Sequence, residues 1–125
     1  MNKIKILLID DEIEFVETLA ERLELRGYIS KIAGDGESCI SMLANESFDV
    51  AILDLMMPGL SGLDTLRQIK DIDKTMPVIM LTGHGSTKDA MEGMRMGAFD
   101  FLMKPLDIND LIEKIKLALT ESSKG

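Results

Sequence analysis

Residues 50–59 read VAILDLMMPG, and this stretch indicates the fold of the chain. Val50–Leu53 is an apolar run of strand length, Asp54 ends it with a carboxylate, and a loop rich in glycine and proline follows at residues 58–62. A strand that is apolar at every position is typical of a parallel sheet with helices on both faces. Apolar residues at helical spacing then occupy residues 63–69, so the stretch predicts a strand, a loop and a helix.

The same alternation of an apolar run with a helical pattern extends in both directions. The other predicted strands are Ile4–Ile9, Tyr28–Ala33, Val78–Leu81 and Phe99–Met103. Helical spacing predicts the other helices over Val16–Leu23, Cys39–Leu43, Thr87–Met94 and Ile108–Ile115. Gly27 stands where the first of these helices should end. Strands that alternate with helices in this way predict an α/β domain with a doubly wound parallel sheet.

Length and composition bound the class of protein. The 125 residues correspond to one domain, which we assign to residues 1–120, with residues 121–125 as a tail or the start of a linker. Hydrophobic residues make up 46% and charged residues 29%, which excludes a disordered chain. Cys39 is the one cysteine, so no internal disulfide can form. This is consistent with a protein of the reducing cytosol. The apolar run that ends at Ile9 is too short for a signal peptide or a membrane helix, so we expect a cytoplasmic protein.

The charge balance argues against nucleic acid as a direct partner of this domain. The chain has 22 acidic and 14 basic side chains, and its net charge of −8 repels a phosphate backbone. Aromatic residues make up only 4% of the chain and none is tryptophan, so we expect no surface on which bases stack.

Charged and hydroxyl side chains follow the predicted strands. Asp10 and Asp11 come after the first strand, Asp54 after the third, Thr82 after the fourth and Lys104 after the fifth. Because ligands of doubly wound sheets bind at the carboxyl ends of the strands, we expect these side chains to meet. Two carboxylates about 4 Å apart repel by several kcal/mol near a protein surface. Such a cluster must protonate, pair with basic groups or hold a cation.

The donor atoms favour a hard cation. Carboxylate oxygens suit Mg²⁺, with Mn²⁺ as a second choice, whereas one histidine and one cysteine are too few for a zinc site. The alternative is that Asp10 and Asp11 only cap the following helix, for which one aspartate would be enough. Capping does not explain Asp54 at a neighbouring strand end, so we favour the metal site.

A hard cation with few protein ligands usually completes its coordination shell with phosphate oxygens. Lys104 can then pair with a phosphoryl group and Thr82 can donate a hydrogen bond to it; the alternatives are a solvated lysine and a capping threonine. Asp54 can be the nucleophile that receives the group, because His84 is the only histidine and no serine–histidine or cysteine–histidine arrangement exists. The strand ends therefore predict transfer of a phosphoryl group to Asp54.

The motifs Asp10-Asp11, Asp54–Gly59, Thr82-Gly83 and Lys104-Pro105 occur in this order at the strand ends. Together they resemble the receiver domain of two-component response regulators, from Lys5 to Leu119. The resemblance implies a flavodoxin-like (βα)₅ fold with strand order 2-1-3-4-5. It also implies that the domain takes a phosphoryl group from a sensor histidine kinase or a phosphotransfer protein. Such a domain is a signalling phosphoacceptor that catalyses only its own phosphorylation and dephosphorylation.

The resemblance assigns the metal ligands. Asp11, Asp54 and the backbone carbonyl of Met56 would bind Mg²⁺ directly, and Asp10 would act through water. The Met56 side chain brings no base that could orient water, so we expect it not to shorten the lifetime of the phosphoryl group.

The resemblance also assigns the surroundings of the phosphoryl group. Lys104, joined to Pro105 by a cis peptide bond, would pair with it, and Thr82 would move to donate a hydrogen bond. Gly83 would leave room beside the group. His84 stands where the family varies; it would either bring a polar group to the site or lie in the solvent as a loop residue.

Switching would reach an output face formed by helix 4, strand 5 and helix 5, through which a homodimer could form. Phe101 falls at the family's switch aromatic; alternatively it is a core residue, because Phe99, Phe101 and Met103 would lie on one face of a strand. The chain has ten methionines, and we predict core positions for most of them. Met91, Met94, Met96 and Met103 could ease repacking at the switch face, but we favour a core role for them as well. The domain would act alone or as part of a transcription regulator or hybrid kinase.

Three rival functions are open to the same fold. A Mg²⁺-dependent phosphohydrolase would need a second carboxylate where Met56 stands, together with a cap that excludes water. A flavin or nucleotide binder would need a phosphate-cradling loop where residues 10–12 are acidic. An inert interaction domain would have lost Asp54, Asp11 or Lys104, and all three are present.

Overall fold

Five strands and five helices alternate along the chain. The computed structural model describes residues 3–57, 61–83 and 87–124. The elements are β1 (Lys5–Ile9), α1 (Ile13–Leu25), β2 (Ile29–Ala33), α2 (Gly36–Asn45), β3 (Val50–Asp54), α3 (Gly62–Ile72), β4 (Val78–Thr82), α4 (Thr87–Arg95), β5 (Asp100–Met103) and α5 (Ile108–Lys124). The predicted alternation is confirmed. Residues 58–60 of the predicted loop lie outside the described residues.

The strands form one parallel sheet in the order β2-β1-β3-β4-β5, which confirms the predicted topology. The chain passes from β1 to β2 on one side and then returns to place β3 on the other side of β1. Strand order therefore reverses between β1 and β3, and a ligand crevice is expected at their carboxyl ends. β3 and β4 are buried at every residue, as the apolar runs predict, whereas the edge strand β2 is mostly exposed.

Two apolar clusters cover the two faces of the sheet. Alternate residues of each strand point to opposite faces, so Leu7 and Ile9 enter one cluster while Ile6 and Leu8 enter the other. The first cluster includes buried residues of α2 and α3, such as Cys39, Leu66 and Ile69. The second includes buried residues of α1 and α5, such as Val16, Leu23, Leu111 and Ile115. The sheet is thus fixed from both sides, and this fixes the positions of its carboxyl ends.

Local chemistry explains where helices begin and end. The Asp35 side chain accepts a hydrogen bond from Ser38 N at 2.7 Å, and Ser61 accepts one from Asp64 N at 3.1 Å, so each caps a helix. Gly27 adopts φ +93° directly after α1, a conformation that favours glycine, and this confirms its predicted position.

Helix α5 is longer than the spacing of its apolar residues indicated. It runs to Lys124 and therefore extends into residues 121–125, for which we predicted a tail or linker. With 17 residues, including several acids and lysines, α5 is amphipathic. Among the described residues, no helix combines the length and the apolarity that a membrane crossing needs.

The methionines occupy two kinds of position. Met57, Met76 and Met80 are buried in the core, as predicted, and Met96 packs against it. The prediction of core positions is wrong for Met91, Met94 and Met103, whose side chains are 54%, 39% and 45% exposed. In α4, Ala90 and Gly93 form the buried stripe in place of Met91 and Met94, and Met103 is the last residue of the edge strand β5.

Candidate functional site

The carboxyl edge of the sheet gathers buried polar side chains. Asp10 follows β1, and Asp54 and Thr82 are the last residues of β3 and β4. Each of the three is only 2% exposed, and they are three of the four buried polar or charged residues in the described part of the chain. Because burying a carboxylate without compensation is costly, this concentration at one edge indicates a functional site rather than a structural accident.

Lys104 brings a positive charge to this edge from the end of β5. Its Nζ lies 2.5 Å from Glu12 Oε1, 2.9 Å from Asp10 Oδ2 and 3.5 Å from Asp54 Oδ2. The backbone fixes this position, because Lys104 N donates a hydrogen bond to Thr82 O at 2.8 Å. The peptide bond between Lys104 and Pro105 is cis, as the resemblance implied. The structure therefore brings the predicted Asp10, Asp54, Thr82 and Lys104 together.

The charges of the site shift the pKa values of two of its members. Burial raises the pKa of the Asp10 carboxyl and the Asp54 charge adds to this, while a hydrogen bond from Glu12 N and the Lys104 ammonium act against it. Burial alone would lower the pKa of Lys104, but the carboxylates of Glu12 and Asp10 raise it and prevail. Lys104 therefore stays charged, while the ionised form of Asp10 is held at a cost.

The carboxylates present a donor set that fits a hard divalent cation. Asp10, Glu12 and Asp54 each offer one oxygen, and these oxygens all lie within 4.8 Å of one another. Asp10 Oδ1 accepts a hydrogen bond from Glu12 N at 2.9 Å, and Asp54 Oδ1 accepts one from Met56 N at 3.0 Å. The Lys104 ammonium pairs with the buried Asp10 Oδ2 at 2.9 Å. An all-oxygen set of this kind suits Mg²⁺ or Mn²⁺.

One predicted ligand lies outside this group. Asp11 is exposed, and the third carboxylate beside Asp10 and Asp54 is that of Glu12. Sequence reasoning missed Glu12 as a site residue, and its signal was only that three acids follow β1 in succession. The Met56 N–H donates a hydrogen bond to Asp54 Oδ1, and its side chain is 60% exposed.

The residues predicted around the phosphoryl group have mixed outcomes. Gly83 is partly exposed, and a Cβ added to it would meet no atom of the described residues within 4 Å. His84 lies outside the described residues. Phe101 is partly buried against the first cluster, but Phe99 precedes β5 and packs against the second. The interpretation that Phe99 and Phe101 share one face is therefore wrong.

A groove of about 720 Å³ opens beside the site, between α1 and the segment after β5. Glu12, Phe15, Lys104 and Pro105 are among its lining residues. The Lys104 ammonium lies 4.4 Å from the centroid of the Phe15 ring, a cation–π distance. Phe15 is a second contact of Lys104 that sequence reasoning missed, because an aromatic residue on a buried helix face has no distinguishing pattern.

This arrangement can perform one kind of chemistry in particular. A buried carboxylate can attack an anionic phosphoryl donor when a cation and an ammonium group offset the negative charge around it. Asp54 is that carboxylate, Lys104 is the ammonium, and the neighbouring oxygens could hold the cation.

Sequence comparison points to the same chemistry. The sequence pattern of the response regulator receiver domain matches residues 6–116. The transcriptional regulatory protein CpxR of Escherichia coli (strain K12) is 42% identical over 118 residues, which are 94% of this chain and 50% of CpxR. The transcriptional regulatory protein YkoG of Bacillus subtilis (strain 168) is 36% identical over 122 residues, which are 98% of this chain and 54% of YkoG. The chain thus spans about half the length of these regulators.

Solved structures agree in fold over nearly the whole chain. The receiver domain protein of Clostridium thermocellum is 40% identical with a TM-score of 0.90, covering 96% of this chain and 97% of its own. The CheY-like receiver domain protein of Methanospirillum hungatei JF-1 is 31% identical with a TM-score of 0.93, covering 98% of each chain. The chain therefore belongs to the receiver domains of two-component response regulators.

Proposed function

We propose that Asp54 accepts a phosphoryl group from the phosphohistidine of a sensor histidine kinase or a phosphotransfer protein. The observation that carries this proposal is that Lys104 and Asp54 meet in a group of three carboxylates, of which Asp10 and Asp54 are buried. An Asp54 oxygen forms a bond to phosphorus while the bond between phosphorus and the donor histidine nitrogen breaks, and the electron pair stays on the imidazole. The domain turns over no external substrate in this scheme.

Asp11, Asp54 and the Met56 carbonyl would hold Mg²⁺ directly, as the resemblance assigns, and Asp10 would act through water. Mg²⁺, when bound, offsets negative charge on Asp54 and on the transferring oxygens. The donor set supports this ion because Asp10, Glu12 and Asp54 offer only carboxylate oxygens, all within 4.8 Å of one another.

Lys104 pairs with the phosphoryl oxygens, and the Thr82 hydroxyl donates a hydrogen bond to one of them. Thr82 is well placed because it ends β4 beside Asp54 on β3, and Gly83 has no side chain that would crowd the group. The movement of Thr82 would draw the Phe101 ring inward. Phe101 is only partly buried, so its ring can still move to a more buried position. Two packings of nearly equal energy are what such a switch requires.

The output face is formed by α4, β5 and α5, and the phosphorylated domain pairs with a second copy there. Exposed methionines on α4 and β5 support this face, because adaptable apolar side chains suit a partner surface. We assign residues 1–120 to the receiver and place it in the cytosol, where its single buried thiol needs no protection from oxidation. DNA binding, the task that the names of its relatives suggest, would belong to other sequence.

Phosphorylation of the purified domain by a small acyl phosphate tests the proposal. With Mg²⁺, intact mass spectrometry should show the gain of one phosphoryl group, and without Mg²⁺ or in Asp54→Asn the gain should vanish. Asp71→Asn, an exposed aspartate on α3, is the matched control and should behave as wild type. No gain in a wild-type protein with an intact circular dichroism spectrum would overturn the proposal. If the domain instead hydrolysed small phosphoesters with repeated turnover and release of inorganic phosphate, it would be a phosphohydrolase.

A further inference from the structure

The Lys104 ammonium lies nearer to Glu12 than to the proposed phosphoacceptor. Its Nζ is 2.5 Å from Glu12 Oε1 but 3.5 Å from Asp54 Oδ2. Lys104, which is proposed to pair with phosphoryl oxygens on Asp54, therefore has its shortest contact with Glu12. The Phe15 ring, 4.4 Å from Nζ, lies on the same side as Glu12, on α1. Both contacts hold the ammonium toward α1.

The Glu12 side chain has no other structural task among the described residues. Glu12 occupies the N-cap position of α1, yet its side chain makes no capping hydrogen bond. The cap position favours short side chains such as aspartate and serine, which reach the helix amides directly. The Glu12 N–H is already bonded to Asp10 Oδ1, and its carbonyl accepts Val16 N at 2.9 Å. The carboxylate is thus free of the helix and reaches across to Lys104.

We propose that Glu12 is a positioning residue that restrains Lys104 in the unphosphorylated domain and must release it before phosphoryl transfer. The inference rests on the proposed function of Asp54. The Glu12 side chain is 61% exposed, so water screens its ion pair with Lys104 and the restraint is weak. A weak restraint suits a contact that breaks in every phosphorylation cycle. Its loss should raise the phosphorylation rate by about two- to fivefold, the factor to which a screened ion pair corresponds.

Three variants separate a restraint on Lys104 from a general effect of charge. Glu12→Gln removes the charge, and Glu12→Asp keeps it but shortens the side chain so that it no longer reaches Nζ. Glu14→Gln, an exposed acid in the first turn of the same helix, is the control for charge and helix stability. With a small acyl phosphate and saturating Mg²⁺, we expect both Glu12 variants to be faster than wild type and Glu14→Gln to be unchanged. Overturning results are a Glu12→Asp rate equal to wild type, or slower phosphorylation in Glu12→Gln.

A second arm tests whether Glu12 acts through Lys104. In a Lys104→Ala background, Glu12→Gln should change the phosphorylation rate no more than Glu14→Gln does. A persistent acceleration there would mean that Glu12 acts on the anionic donor directly, and it would overturn the inference.

The position of Lys104 can also be followed without any phosphoryl donor. In Mg²⁺-free protein, the ¹H–¹⁵N resonance of the Lys104 ammonium, assigned by its absence in Lys104→Ala, should move in Glu12→Gln and Glu12→Asp. It should stay in place in Glu14→Gln, and an unmoved resonance in all three variants would overturn the restraint. If wild type takes no phosphoryl group at all, the proposed function fails, whereas this resonance still reports whether Glu12 holds Lys104.

Discussion

Two clusters in this domain are built from the same groups and reach opposite electrostatic outcomes. In what we term the Lys5 cluster, near the amino end of β1, Glu46 lies 2.6 Å from Lys5 Nζ and 3.0 Å from Lys31 Nζ. In the Lys104 cluster, at the carboxyl edge, one lysine faces the carboxylates of residues 10, 12 and 54. Each cluster also sets its lysine near a phenylalanine ring, Phe48 at 5.0 Å in the first and Phe15 in the second.

The difference lies in the ratio of charges and in burial. Hydrogen bonds from the Lys5 and Lys31 ammonium groups lower the pKa of Glu46, so folding favours its charged form. At the carboxyl edge, acids outnumber the base and two of them are buried, so burial raises the pKa of Asp10 and folding opposes its charged form. The Lys5 cluster stabilises the fold, whereas the Lys104 cluster holds unsatisfied negative charge that a cation and a phosphoryl group can use.

Neutralising Asp10 should therefore stabilise the domain when no cation is present. Asn in place of Asp10 keeps an oxygen for the Glu12 N–H but removes a buried like charge beside Asp54. We expect Asp10→Asn to raise the free energy of unfolding by about 1 kcal/mol, measured by urea denaturation in EDTA. Asp71→Asn, with an exposed side chain, should leave it unchanged. A loss of stability in Asp10→Asn would show that Lys104 already compensates the charge, and the contrast between the clusters would disappear.

Removing the acid from the Lys5 cluster should have a smaller effect of opposite sign. A lowered pKa means that the stabilising contribution of Glu46 is present above its unfolded pKa, about 4.3, and is lost as the pH falls through the folded value. Glu46→Gln should lower the urea midpoint at pH 7, and the gap to wild type should close as the pH approaches 3. Glu21→Gln, an exposed acid on α1, should leave the midpoint unchanged. A gap that persists at low pH would assign the effect to packing instead of charge.

The contrast between the clusters also marks the limit of sequence reasoning. Apolar runs locate the five strands, because a doubly covered sheet demands them, and the residues at their ends therefore locate Asp54, Thr82 and Lys104. Periodicity ends with the strand, however, so it does not distinguish among the three acids after β1. The backbone at Glu12, with φ −82° and ψ 88°, decides that Glu12 reaches the site while Asp11 faces solvent.

Helix α4 shows a second limit. Its apolar spacing predicted that Met91 and Met94 face the core, yet both are exposed and Gly93 is buried. A Cβ on Gly93 would overlap Met80 Sδ, so the helix approaches β4 through a residue that has no side chain. Patterns that count only apolar side chains miss such a contact, because glycine contributes closeness instead of hydrophobic surface.

Cys39 shows what burial does to an ionisable group that has only apolar neighbours and no charged partner. Burial raises its pKa to about 12, so the thiol stays neutral. At pH 8 the thiolate fraction is about 10⁻⁴, and we expect iodoacetamide to leave native Cys39 unmodified over hours but to alkylate it in urea. Ser41→Cys adds an exposed thiol to the same helix, and mass spectrometry should then find one label, at residue 41. Alkylation of native Cys39 as fast as that of residue 41 would mean that α2 opens readily. Burial alone keeps the Cys39 thiol protonated and unreactive. Reactivity at Asp54 therefore needs the surrounding charges as well as burial.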